Sequence, residues 1–251
     1  MIEPAVKGTL GILESASNVG SIKRVVVTSS ILAIIPFAAL TGPHSNEIIQ
    51  ATDRTVDEYG PFDFGAVQAY CASKVRALNA SEAWMKERRP TFDLISVLSS
   101  YLIGRNELVT EFKDVMEGTN ARVLSAVLGI RSPRALPGTT VSVHDVAKLH
   151  VLALDTIKIR GDHAYLATSH GDAGIVYNDA LGIVARRFSK VVKNGVLKND
   201  GDQPTRLARV DTKDTEEIFG MKFASFEDQV VSAVEHYVEL ALANKAAASN
   251  A

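Results

Sequence analysis

One cysteine in 251 residues, Cys71, leaves no route to an internal disulfide or to a zinc site built on thiolates. Such a chain suits a reducing compartment, and the cytosol is the expected location. Charge of one sign is also missing: 27 Lys and Arg stand against 29 Asp and Glu, the net charge is −2 and the pI lies near 6.3. The basic residues are scattered, so no stripe neutralises a phosphate backbone and no nucleic-acid partner is expected. Long apolar runs are absent. The most apolar stretch, Val25 to Leu40, is broken by Thr28, Ser29, Ser30 and Pro36, which reads as a buried strand and its loop, with no membrane partner. The N-terminus carries Glu3 and lacks a basic region followed by an apolar one, so no secretory signal is expected. No repeat stands out, and the small-residue tail Ala246 to Ala251 is expected to fray.

What is present is apolar side chain in quantity, 46% of the residues, enough for one large domain or two lobes sharing an interface. Pro4 suits the first turn of a helix that runs through Val6, Leu10, Ile12 and Leu13 and stops near Gly20. Lys23 to Thr28 is a β-branched run with little polar alternation, the pattern of a strand buried on both faces of a parallel sheet. Between Ile35 and Phe64 periodicity fades, and a connection of that length is expected to be functional. A helix from about Gln68 to Arg88, ended by Pro90, leads to a second buried strand, Phe92 to Leu98. Strand, long loop, helix, strand is half of a doubly wound sheet.

Beyond Gly104 the elements shorten. Strands are expected at Val141 to Val143 and Ala164 to Ala167, with a helix capped by Asp145 running to about Asp155. Further helices are expected at about Asn178 to Ser189, at Asp211 to Phe219 stopped by Gly220, and from a capping box at Ser225-Phe226-Glu227-Asp228 to about Leu242. The expected fold class is α/β, a partial Rossmann-like doubly wound parallel sheet with a small C-terminal α/β substrate lobe. The expected divisions are residues 1–135 for the half-Rossmann part, 136–245 for a mixed sheet-edge and substrate lobe interleaved with it, and 246–251 for the flexible tail.

The chemistry centres on Tyr70-Cys71-Ala72-Ser73-Lys74. Four residues are slightly more than one helical turn, so the Tyr70 hydroxyl and the Lys74 ammonium rise from one face. A nearby cation stabilises phenolate and lowers a tyrosine from its usual value near ~10, which makes it a usable proton donor. Alone the spacing is weak, because roughly 0.3 such matches arise by chance at this composition and a surface helix pair explains them. Context adds weight: some forty residues earlier a buried strand ends in Thr28-Ser29-Ser30, where a hydroxyl can donate to a carbonyl oxygen gaining negative charge.

The segments Val25 to Ser30, Tyr70 to Lys74, Phe92 to Gly104 and Val141 to Ala147 resemble, in order and spacing, the extended short-chain dehydrogenase/reductases, also called the NAD-dependent epimerase/dehydratase superfamily. Within it they are similar to the dihydroflavonol reductase, cinnamoyl-CoA reductase and microbial carbonyl reductase group. The opening Ile2 to Leu10 is similar to the family's helix before the serine strand, so the match covers nearly the whole chain. The resemblance implies that Ser30 holds a carbonyl oxygen, Tyr70 protonates it, and Lys74 lowers the tyrosine pKa while bonding the nicotinamide ribose. Ser29 is the alternative to Ser30, since the family motif has serine at both places. Cofactor contacts carried over by position fall on Thr28, Tyr70, Lys74, Leu98, Ser99 and Tyr101. Here Ser99 stands where the family usually has proline.

The resemblance further implies NADP, or NAD, as cofactor and no metal. It implies a small-molecule carbonyl substrate and a monomer or homodimer. The front differs from the family. Gly8 and Gly11 fall inside the opening helix and do not make the Gly-x-x-Gly-x-x-Gly turn that carries a pyrophosphate. Roughly the first hundred residues of the family are without a counterpart. An incomplete gene model or degenerate copy is therefore expected, with the Val25 strand becoming an exposed apolar sheet edge.

Other features take ordinary readings: Cys71 as packing, His144 and His150 as core or surface histidines, and His144-Asp145 as hydrogen bonding and capping. Arg186, Arg187, Lys190, Lys193 and Lys198 read as a solvated face, with a phosphate-bearing substrate as the sharper account. The expected activity is reduction of an aldehyde or ketone by hydride transfer. The alternatives are a nucleotide-sugar epimerase or dehydratase on the same triad, and a non-catalytic remnant acting only through association.

Overall fold

The structure is a computed structural model that describes residues 1–42 and 46–249. In chain order its elements are α1 (Ile2–Ser17), β1 (Arg24–Ser30), α2 (Phe37–Thr41), β2 (Ile48–Ile49), α3 (Gly65–Arg88), β3 (Asp93–Ser99), β4 (Tyr101–Ile103), α4 (Ala121–Val127) and β5 (Leu136–Pro137). There follow β6 (Thr140–Ser142), α5 (Val143–Leu152), β7 (His163–Ala167), α6 (Asp179–Arg187), α7 (Ser189–Lys193), β8 (Thr205–Arg206), β9 (Arg209–Val210), α8 (Lys213–Phe219) and α9 (Phe226–Ser249). The chain is α/β, as its pattern of elements predicts.

The residues divide into two compact units: 1–100 with 146–167 and 210–221, and 101–145 with 168–209 and 222–251. This division differs from the boundary expected at 135. Residues 101–135 pack within the second unit, and 146–167 return to the first because β7 completes its sheet.

The first unit is built on a parallel sheet in the order β1-β3-β7, with Val27 opposite Ser96 and Leu98 opposite Leu166. Alternation along β1 sends Val25 and Val27 to a face where they pack with Leu13 and Ala16 of α1 and Trp84 and Met85 of α3. Each large side chain buried there contributes roughly 1.5–3 kcal/mol of transfer free energy. Arg24 turns to the other face. Its guanidinium donates to the Ala153 carbonyl at 2.7 Å, to Asp93 at 2.9 Å and to the Ile159 carbonyl. The Asp93 carboxylate also accepts from Gly161 N–H, and Asp162 accepts from Leu94 N–H at 2.7 Å.

β1 is not buried on both faces as its composition predicts. It lies at the edge of the described sheet, where its three valines are half-buried and Thr28 is exposed, in line with the exposed-edge expectation.

In the second unit β4 pairs in parallel with β6, and β5 with β8. Its core gathers Val123, Leu124 and Val127 of α4, Ile183 and Val184 of α6, and Val230, Val234 and Tyr237 of α9. The capping box forms as expected: Ser225 Oγ accepts from Asp228 N–H at 3.1 Å, and Asp228 accepts from Ser225 N–H at 3.1 Å. α9 then runs past Leu242 to Ser249; of the tail expected to fray, residues 250 and 251 lie outside the described residues. Asp145 does not cap α5. That helix starts at Val143 with Ser142 Oγ accepting from His144 N–H, while the Asp145 carboxylate accepts from Ala224 N–H at 2.6 Å. The helix expected over 178–189 is split into α6 and α7 by Phe188, whose backbone leaves the helical region. Among the described residues no helix is long and apolar enough to cross a membrane.

Candidate active site

β1 stops at Ser30 for a local reason. The residue is extended, with φ −150° and ψ 148°, and its Oγ accepts from Leu32 N–H at 3.2 Å, capping a 3-10 turn over Ile31–Ala33. Accepting that bond leaves the hydroxyl proton free to be donated elsewhere. Ile31 and Ala33 pack with Leu78 of α3 and Leu98 of β3. The turn capped by Ser30 thus rests on α3, against a residue one helical turn beyond Lys74.

α3 carries the other two groups. Tyr70 is exposed, and the Lys74 ammonium sits 5.5 Å from the centre of its ring, so the two side chains share a face as the spacing predicts. Ser73 Oγ donates back to the Tyr70 carbonyl at 2.6 Å, which fastens its side chain to the helix and away from the site. Cys71 turns inward and is buried; burial, with the Glu58 charge adding, pushes its thiol up to about 11, so it is no nucleophile near neutrality.

The positions carried over as cofactor contacts meet different surroundings. Thr28 Oγ1 lies 2.7 Å from His150 Nε2, while His150 Nδ1 lies 2.8 Å from the Val146 carbonyl. A carbonyl only accepts, so Nδ1 bears a proton and donates to Val146. The Thr28 hydroxyl is thus hydrogen-bonded to α5 through Nε2. The Leu98 side chain is fully buried in the cluster with Ile31, Leu78 and Leu166, so a contact from it to a cofactor runs through its backbone. Ser99 is buried and its Oγ donates to the Ser29 carbonyl at 3.4 Å. Tyr101 belongs to the second unit, where the Arg122 guanidinium lies 5.4 Å from its ring centre.

The stretch Ile35 to Phe64 carries no motif in its sequence, yet its last third is organised against α3. Residues 54–59 form a strap on the flank of α3. Arg54 pairs with Glu82 at 2.6 Å, and Asn79 Nδ2 donates to the Thr55 carbonyl at 2.9 Å and to Asp57 at 2.8 Å. Arg76 Nε stands 3.8 Å from Asp57, and its guanidinium lies 4.5 Å from the Tyr59 ring centre. Gln68 Nε2 donates to Glu58 at 3.3 Å. The available signal was Arg76, Asn79 and Glu82, polar residues three apart on a helix that is otherwise half core. Of the basic cluster in the second unit, Arg186 and Arg187 both turn to Glu227, at 3.0 and 3.8 Å.

No family profile matches the chain. Individual proteins do. The ketoreductase CTB6 of Cercospora beticola is 37% identical over 239 residues, covering 94% of this chain and 66% of that protein. The NAD-dependent epimerase/dehydratase ALT6 of Alternaria alternata is 30% identical over 245 residues, covering 92% of this chain and 68% of its own length. Among solved structures, Gre2 from Candida albicans superposes with a TM-score of 0.77 at 24% identity, over 96% of this chain and 72% of that one. The chain thus spans about two thirds of the length of these relatives. On this footing it belongs to the extended short-chain dehydrogenase/reductases, the family of the NAD-dependent epimerase/dehydratases and their ketoreductase kin.

Proposed function

We propose that the chain carries the catalytic half of an NADPH-dependent reductase of aldehydes or ketones. The observation that carries this reading is the Lys74 ammonium over the Tyr70 ring, on the helix that also supports the turn capped by Ser30. The ketoreductase relatives support it, as does the Candida albicans relative named an NADPH-dependent methylglyoxal reductase, 26% identical over 251 residues. The epimerase or dehydratase reading has less behind it, since the relatives so named are 30% and 29% identical against 37% for the ketoreductase.

The residues present fit the nicotinamide end of a dinucleotide: a phenol and an ammonium on one face of α3, and a serine with a proton to donate at the head of a turn that packs on the same helix. Among the described residues Gly8 and Gly11 lie inside α1 and make no glycine turn for its pyrophosphate. When bound, the reduced nicotinamide supplies the hydride. Ser30 then donates a hydrogen bond to the carbonyl oxygen as charge gathers there. Tyr70 gives that oxygen its proton, and Lys74, one turn along, stabilises the phenolate left behind while offering its N–H groups to the nicotinamide ribose. The substrate is a small carbonyl compound, and the single buried thiol fits a cytosolic protein.

The test is Tyr70→Phe, assayed by NADPH oxidation with methylglyoxal. Turnover is expected to fall by about 10²-fold or more while circular dichroism stays unchanged. An unchanged rate would remove the assignment. Titration of NADPH against the chain measures how much affinity the nicotinamide end retains.

A further inference from the structure

The helix that carries Tyr70 is poorly supported at its own start. The first four N–H groups of a helix have no partner within it. Phe64, at the N-cap of α3, offers no side-chain acceptor, the first turn holds no acidic residue, and Gly65 enters with φ +64°, a conformation that suits glycine. Tyr70 rises from the second turn of this frayable end. The Gly65 N–H donates to the Phe62 carbonyl at 2.9 Å and the Phe64 ring packs on Phe37; the strap adds a side-chain hold. Gln68 Oε1 accepts from Phe64 N–H at 3.2 Å, reaching back to the N-cap from one position beyond the place a capping box uses. The other end of the same carboxamide donates to Glu58 Oε2 at 3.3 Å. Glu58 is held in turn by its neighbour Asp57, whose carboxylate accepts from Asn79 at 2.8 Å and from the Tyr59 hydroxyl at 3.3 Å. Through Gln68 the Glu58 charge is also held near the positive end of the helix dipole, where a negative charge is favourable.

We propose that Gln68 and Glu58 are positioning residues for Tyr70: the strap over residues 54–59 fixes the first turns of α3 and so sets where the phenol stands. The proposal rests on the reductase reading only for what Tyr70 does once it is placed. Neither residue touches the reacting atoms; both act through the helix.

The experiment compares Gln68→Met, Glu58→Ala and Glu58→Gln in the full chain. The first two break the bridge, and the third keeps an acceptor for Gln68. Two readouts are taken, NADPH oxidation with methylglyoxal and amide hydrogen exchange. Gln68→Met and Glu58→Ala are expected to lower kcat by about tenfold, with KM within about twofold, because a phenol shifted by a fraction of an ångström still lets substrate bind. They are expected to speed exchange at residues 65–71 while leaving 93–99 protected, and Glu58→Gln is expected to restore both readouts. Unchanged exchange at 65–71 in the two disruptive variants would overturn the proposal, as would loss of protection at 93–99, since the support would then belong to the whole unit. If the unaltered chain turns over no carbonyl, the reductase reading falls and the exchange data alone decide the positioning claim.

Discussion

Tyr70 and Cys71 are neighbours, yet helix geometry turns successive side chains about 100° apart, which sends the phenol out and the thiol in. The thiol's rise to about 11 comes first from burial and second from Glu58. In the folded chain iodoacetamide is therefore expected to leave Cys71 unmodified at pH 8 and to alkylate it readily in urea; rapid native-state alkylation would contradict the burial. The linked stability has a definite sign. A group whose folded pKa is raised contributes fully below its unfolded value, near ~8.5, and loses that contribution as pH climbs through about 11. The urea midpoint is expected to drop across that window, and Cys71→Ala is expected to flatten the drop. At this scale the Tyr70 and Lys74 pairing was legible, because it depends on spacing within one helix. The fate of Thr28 was not: its partner His150 lies 122 residues away in the chain. The buried strand expected over Phe92 to Leu98 already put the Leu98 side chain in the core, which the cofactor contact carried over by resemblance did not take into account.

Among the elements, α1 and α3 show what amphipathic periodicity can and cannot tell. Leu13, read as part of an apolar stripe, is fully buried between α1 and the Trp84–Met85 end of α3. Leu13→Ala is expected to cost about 2–5 kcal/mol in urea denaturation, the range for a buried leucine whose site collapses only partly. A cost below about 1 kcal/mol would mean that α1 docks loosely. The start of α9 was legible to the residue, since Ser225 and Asp228 satisfy each other locally. Its far end was not, because alanine-rich sequence favours helix with no stop signal after Leu242. The strap along α3 escaped notice for the opposite reason: each of its bonds joins residues 10 to 28 apart, and no local pattern encodes such pairs.

For the molecule as a whole, the α/β class and the parallel connection of β1 to β3 were readable from the alternation of apolar runs and helical stretches. A second lobe interleaved with the first was expected from the mixed elements beyond Gly104; the points where the chain crosses between the units were not, because they are set by where β7 returns. The segment that bonds β1 through His150 and Ala153 also leaves Val151, Leu154 and Ile157 exposed, at 68%, 58% and 80%. Like the edge of β1, apolar side chains left exposed in this number favour association. Replacing Val151 and Ile157 together with lysine is expected to raise the concentration at which light scattering sets in. The melting temperature should hold, as surface substitutions away from packing seldom exceed about 0.5 kcal/mol. Scattering that begins at the same concentration would locate the stickiness elsewhere. The Arg24 guanidinium gives this edge an asymmetry. It rivets the root of β1 to two carbonyls and a carboxylate through one side chain, whereas the tip is held piecemeal, by Thr28 to His150, by Ser99 to the Ser29 carbonyl and by the turn whose Ile31 and Ala33 are buried. Removing that one guanidinium would therefore unfasten the root at a stroke, while no single substitution frees the tip.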